Sequence, residues 1–259
     1  MSTESMLDKL GRYYDEQGIS AVGFKCPHLE KCSSVCAPGQ MATAQAPYVG
    51  PGFEEGKLPR LLFVSSDTCD VWYKDHPELV TLEGTRQRTL SDGLKYRKNP
   101  NTHWHQTFDF ARLLLAVFAK KRLGKILTIN DAVEYFAHTR SVRCKDGSIG
   151  TREGNVVLAN NCRNFLKREI EIMTPDIIVV QGTRAKNALG NSFPVIRQVF
   201  MPGYPNTFYQ IVQLEANHTA IMIVAKHPCA RGRNGWKRGE KKQFIDWAAK
   251  SVQEFTPVA

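Results

Sequence analysis

The residues best equipped for chemistry are cysteines. The chain has seven, and three of them, Cys26, Cys32 and Cys36, crowd the segment KCPHLEKCSSVC. Cys144 and Cys162 follow in mid-chain, while Cys69 and Cys229 stand apart. The first ten residues carry two acids and no apolar stretch, so no secretory signal is expected and the setting reads as cytoplasmic. Disulfides are not expected there, and thiolate ligation of a metal is the better reading. Four thiolates suit a [4Fe–4S] cluster or a structural zinc. The N-terminal spacing fits neither the common zinc pattern nor a ferredoxin run. Five nearby candidates for four places leave one spare. The bland alternative is buried free thiols acting as small apolar side chains.

Two further sets could do chemistry. The apolar run Leu61–Val64 leads into Ser65-Ser66-Asp67-Thr68-Cys69-Asp70, which puts carboxylates just past a strand end; the same residue types also make ordinary caps. His227 follows a second apolar run, precedes Pro228 and opens the loop AKHPCARGRNGWKRGEKK. That loop combines Trp236 with Arg231, Arg233, Lys237 and Arg238, side chains suited to phosphate contact or to a wedge between bases. Lys241 and Lys242 fit a solvated helix start better. Arg86, Arg88, Lys95, Arg97 and Lys98 form a second basic set. Lys plus Arg is 35 against 25 Asp plus Glu, a formal charge of +10, which permits a polyanion partner without naming one.

The elements that must position these groups alternate between short apolar runs and amphipathic stretches. A helix is expected within residues 1–20. PYVGPGFEEGKLP reads as loop, and 67–105 as a long polar insertion holding Trp72, Tyr73, His76, His103, Trp104 and His105. Helices are expected at Phe108–Leu123, from an Asn130 cap to about His138, at Val156–Thr174, at Thr183–Leu189 and at Gly239–Phe255. Strands are expected at Leu61–Val64, Ile177–Val180, Phe208–Leu214 and Ala220–Ala225. Hydrophobic residues make up 42% of the chain, enough for a real core. The longest apolar run, Leu113–Ala119, is far short of the roughly 20 residues of a membrane span. This pattern says α/β, a mostly parallel sheet covered on both faces, in a single domain over 1–259 with its site at the C-terminal strand ends.

Taken in order, several segments resemble the iron–sulfur uracil-DNA glycosylases. They are PYVGPGFEEGKLPRLLFVSSD, then SVRCKDG and NNCRNFLKREIEIMTPDIIVVQGTRAKNAL, then AKHPCARGRN. No single piece is specific, but their joint order spans roughly residues 24–250. The resemblance implies a three-layer α/β/α fold and a [4Fe–4S] cluster. Cys144 and Cys162 take its central ligand places, and Cys26, with its Pro and Leu neighbours, takes one N-terminal place. The family's C-x-x-C partner is missing, since position 23 is Gly. Cys32 or Cys36 must substitute within the cluster-binding segment 24–60, with Cys36 preferred.

The resemblance also implies base excision from DNA by a monomer. Such chemistry needs a carboxylate to orient water, a donor for the leaving base, and extrusion of the nucleotide into a pocket. His227 matches the family's histidine donor. Its acid position falls on Ser66, so Asp67 or Asp70 would have to serve. Its pyrimidine-reading Asn falls on Arg140, which is expected to line the base pocket with His138 and Ser66; arginine only donates, so plain uracil is not the expected substrate. A modified pyrimidine, for example in hypermodified phage DNA, is expected instead, with Phe108 stacking on the flipped base. Two rival readings are repair of uracil or deaminated purines through a reworked pocket, and a non-catalytic Fe–S or zinc nucleic-acid-binding protein.

Overall fold

Leu61-Leu62-Phe63-Val64 is apolar on both sides, and such a strand is stable only where both faces of its sheet are covered. The computed structural model describes residues 4–36, 43–66, 76–97, 102–144, 156–228 and 239–256. In chain order the elements are α1 (Met6–Glu16), α2 (Leu29–Ser33), β1 (Tyr48–Val49), α3 (Pro51–Glu54) and β2 (Leu61–Ser65). Next come a 3-10 turn (Pro77–Val80), α4 (Leu82–Arg97), α5 (His103–Arg122), α6 (Ile129–Ala132) and β3 (Phe136–Arg140). They are followed by α7 (Val156–Met173), β4 (Ile177–Gln181), α8 (Thr183–Leu189), β5 (Val195–Met201), β6 (Tyr204–Glu215), β7 (His218–Ala225) and α9 (Glu240–Phe255).

The seven strands form one sheet in the order β1-β3-β2-β4-β7-β6-β5. Its centre, β3-β2-β4-β7, is parallel. β1 is antiparallel at one edge, and β5 and β6 extend the other edge antiparallel. The fold is therefore mixed α/β with five of its strands pointing one way. β2, buried along its whole length, separates two cores. Leu61 and Phe63 face Phe108, Leu114 and Phe118 of α5 and Phe244 of α9. Leu62 and Val64 face Leu10 of α1 and Phe165, Leu166 and Ile170 of α7. β2 and β4 are neighbours whose onward connections run to opposite sides of the sheet, the arrangement that opens a crevice at the C-terminal ends.

Several expectations are corrected. α4 occupies the middle of the supposed insertion; its sequence LEGTRQRTLSDGLKYR has no apolar stripe, and it is held by buried Thr85 and Thr89 and by Arg86, which bonds Val49 O and Glu54. α5 begins five residues earlier than the apolar pattern suggests, because Thr102 caps it by accepting from the His105 amide at 3.2 Å. The helix expected through His138 stops at Ala132, capped by Thr128 and Asp131 rather than Asn130. Phe136–Arg140 is instead a buried strand. β1 and α3 lie in what reads as pure loop. β5 is an unforeseen edge strand whose first four residues are exposed.

Candidate functional site

The first turn of α5 lies over the C-terminal ends of the parallel strands. There the His103 ring is 5.1 Å from His227, just past β7, and 5.9 Å from His138 on β3. Trp104 packs 4.8 Å from His138 and 5.8 Å from Phe108, one turn below it. Period two explains the strand contribution: Phe136, His138 and Arg140 share one face of β3, with Phe136 in the core and Arg140 at the rim. Ser65 pairs with Arg140 in register, so Ser66 sits beside the same rim. His227 comes close because Gly182, at φ 94°, has no side chain to block it; a Cβ there would meet His227 Cβ at 3.3 Å. The Gly182 amide also donates to Ala225 O at 2.8 Å.

The three imidazoles are held neutral. Burial, then His227 and Arg140, lowers the His103 pKa to about 3. Burial, then Arg140 and His103, pushes His138 well below its ordinary value. Burial, then Arg184, lowers His227. His138 is 1% exposed, and neither of its ring nitrogens has a hydrogen-bond partner among the described residues. His103 keeps some exposure at its ring edge, yet its Nδ1 is enclosed and unpartnered in the same sense. Gln181, at the end of β4, donates from Nε2 to Thr107 Oγ1 at 3.1 Å, which leaves its Oε1 enclosed without a donor. Buried polar atoms are normally satisfied, so such a group at a sheet end marks a place for a ligand.

The cysteines form a second group, on the side of α7. All six pairings among Cys26, Cys32, Cys144 and Cys162 are close enough for the thiols to disfavour one another's ionisation. Burial is the larger cause throughout: it pushes Cys144 well up and Cys162 to about 11. Three sulfurs face N–H donors. The His28 amide is 3.4 Å from Cys26 Sγ, Asn161 Nδ2 is 3.1 Å from Cys32 Sγ, and the Arg143 backbone bonds Cys162. Cys36 packs against the cluster of Cys32, Val142 and Leu158. Among the described residues, no three His, Cys, Asp or Glu side chains converge tightly enough to hold an ion. A single zinc would need its thiolates drawn to about 2.3 Å from one point.

Next to Cys144, Arg143 pairs with Glu169 of α7 in the interior, and Tyr14 of α1 donates to the same carboxylate. Arg143 also donates to Tyr14 Oη and to Gln45 O, both at 2.8 Å. This network pins α1, α7 and the residue before Cys144 to one another.

The structure thus brings together His138, Arg140 and His227, and adds His103, Trp104 and Gln181. Gln181 directly follows the apolar run Ile177–Val180 and so stands at a legible strand end; His103 and Trp104 lie in the stretch read as insertion, where only the Thr102 cap marks the start of α5. Phe108 is fully buried, packed on Phe136, so Trp104 is the aromatic that reaches the histidines. Asp67, Asp70, Cys69, Cys229, Arg231, Arg233, Trp236, Lys237 and Arg238 lie outside the described residues. Arg86 is tied to Glu54 at 2.6 Å and Lys226 to buried Glu240 at 2.8 Å, so both serve the fold. Lys242 pairs with Asp246 on the exposed face of α9. A cavity of ≈ 380 Å³ lies on the opposite face of the sheet, between α8 and the β5–β6 hairpin. Its titratable lining residue, Lys186, is exposed, so the histidine group is the better candidate. Among the described residues no helix is long and apolar enough to cross a membrane. No protein-family model matches the chain, and no curated protein matches it.

Proposed function

We propose that the protein is a DNA N-glycosylase of the uracil-DNA glycosylase superfamily, with that family's three-layer α/β/α arrangement, acting as a monomer. The observation that carries this reading is the gathering of His103, His138 and His227, with Trp104 and Arg140, at the switch point of the parallel strands. A flipped base is a planar ring with donors and acceptors on its edge. Trp104 offers a face for it, and the enclosed nitrogens offer partners. As the glycosidic bond breaks, negative charge collects on the departing base, and His227, held neutral, donates an N–H to it. Arg140 adds a second donor. Asp67 and Asp70, which follow Ser66 in sequence, are the proposed carboxylates for orienting water. Arg231, Arg233, Lys237 and Arg238 are the proposed phosphate contacts. The substrate class is a modified pyrimidine in DNA.

The donor set suits a [4Fe–4S] cluster in kind: four thiols near enough to affect one another's ionisation, three of them facing N–H groups that favour the thiolate. We assign its ligands as Cys26, Cys32, Cys144 and Cys162, with Cys32 in the place expected for Cys36, because Cys32 is buried and its Sγ faces Asn161 Nδ2 of α7, the helix that carries Cys162. When bound, the cluster supplies a structural tie between the N-terminal segment, residue 144 and α7. The base chemistry belongs to the histidine group.

The test is an abasic-site assay on oligonucleotides carrying natural and modified bases, with His227→Ala as control. Abasic product that depends on His227 is expected. Tight DNA binding with no product on any substrate would sink the catalytic reading.

A further inference from the structure

The hydrogen-bonding chemistry of the histidine group reaches further than the reaction class. Resting on the reading that this site takes a flipped pyrimidine, we propose that His103 and His138 form a base reader with no fixed donor–acceptor pattern. The substrates then include modified pyrimidines of both edge types, the keto edge of uracil and the amino edge of cytosine.

A neutral imidazole has one donor nitrogen and one acceptor nitrogen, and the partner of one nitrogen decides the role of the other. Both His138 nitrogens are enclosed and unpartnered among the described residues, so nothing there selects a tautomer. Its described ring contacts are Trp104 at 4.8 Å, tilted 55°, and His103 at 5.9 Å, tilted 71°. His103 Nδ1 is in the same condition. Gln181 shows the contrast inside one site. Its amide nitrogen is committed to Thr107, so its Oε1 can only accept. A reader built from committed amides accepts one edge and rejects its complement. A reader built from uncommitted imidazoles exchanges donor for acceptor by moving a proton between ring nitrogens. The carbonyl at ring position 2 is common to uracil and cytosine, and it suits groups that donate to either base, Arg140 and His227. Edge pattern then stops selecting the substrate, and selection falls to ring size and substituents.

The full-length protein carrying nitrogen-15 histidine is to be mixed with single-stranded oligonucleotides containing one pyrimidine. That pyrimidine is of uracil or cytosine type, with hydrogen or hydroxymethyl at position 5. A 2′-fluoroarabino sugar blocks cleavage. Long-range proton–nitrogen spectra, assigned with His138→Asn and His103→Asn, report the tautomer. The expected result is binding of a uracil-type and a cytosine-type probe within about tenfold of each other, with His138 in opposite tautomers. The same tautomer in both complexes, or binding of one edge type or of neither, overturns the reader. Abasic product on the matching deoxynucleotides is scored separately. Opposite tautomers without product leave the reader standing and sink the glycosylase. Abasic product together with the same tautomer in both complexes does the reverse.

Discussion

The two faces of the sheet bury polar groups in opposite ways. On the α1–α7 face, Arg143, Glu169 and Tyr14 close on one another, so a cation and an anion cancel in the interior. Arg143 Nε and Glu169 Oε1 are left over, but they belong to groups already partnered; beside them the buried Gln45 side-chain amide is unpartnered among the described residues. On the α5 face, His138 is just as deeply buried and neither nitrogen is satisfied. An unmade hydrogen bond in the interior costs about 1–3 kcal/mol. The Arg143–Glu169–Tyr14 arrangement cancels its own charges and serves the architecture. The histidine arrangement is tolerable where a ligand completes it.

The sharpest way to break this contrast is to attack the closed network. Glu169→Ala strands the Arg143 guanidinium in the interior and is expected to cost about 3–5 kcal/mol in denaturant unfolding. Replacing both partners by apolar residues, Arg143→Met with Glu169→Leu, should recover most of that. An equal loss from both variants would show that the network does more than cancel its own charges. Next in size is His227→Ala, expected to lower abasic product about 100-fold or more while the thermal midpoint stays near wild type. A large loss of stability instead would move His227 from the open group to the closed one.

A third test concerns the thiols. Cys32→Ser should lose iron and sulfide from the purified protein, and Cys36→Ser should retain both; the reverse outcome would return the fourth ligand place to Cys36. A fourth test concerns pH. His103 and His138 have native pKa values below the ordinary 6.5. Between there and about 3, the unfolded chain therefore binds protons that the native His103 does not, and His138 acts in the same direction. Stability should be full above about 6.5 and fall with acidification, by at most ~1.4 kcal/mol per pH unit for each histidine. Urea midpoints from pH 7 to 4 measure this, and His103→Asn should flatten the slope.

What could be read in the chain follows from periodicity. Val156–Met173 repeats its apolar residues at three and four and ends before Pro175, and Ile177–Val180 is apolar throughout, so both elements are legible. α4 is not, because its described buried residues are Thr85 and Thr89, with Leu82 and Leu90 only partly buried, so no apolar stripe forms. β3 is not, because Phe-Ala-His-Thr-Arg has too few apolar residues to show alternation, although the sheet buries its first four. That misreading puts His138 at a helix end rather than on a buried strand, although the resemblance already names it with Arg140 as a base-pocket residue. His227 and Arg140 are legible as candidates through family resemblance, whereas His103 sits in a stretch that looks like polar insertion.

The chain's own pattern therefore determined an α/β architecture around central parallel strands, five candidate thiols, and a histidine following an apolar strand. Tertiary structure alone decided that Cys32 stands among Cys26, Cys144 and Cys162, and that the first turn of α5 lays His103 and Trp104 over His138. The physical reason is that these are contacts between groups distant in sequence. Local periodicity records which face of an element is buried, but it does not record which polar atom, once buried, is left without a partner.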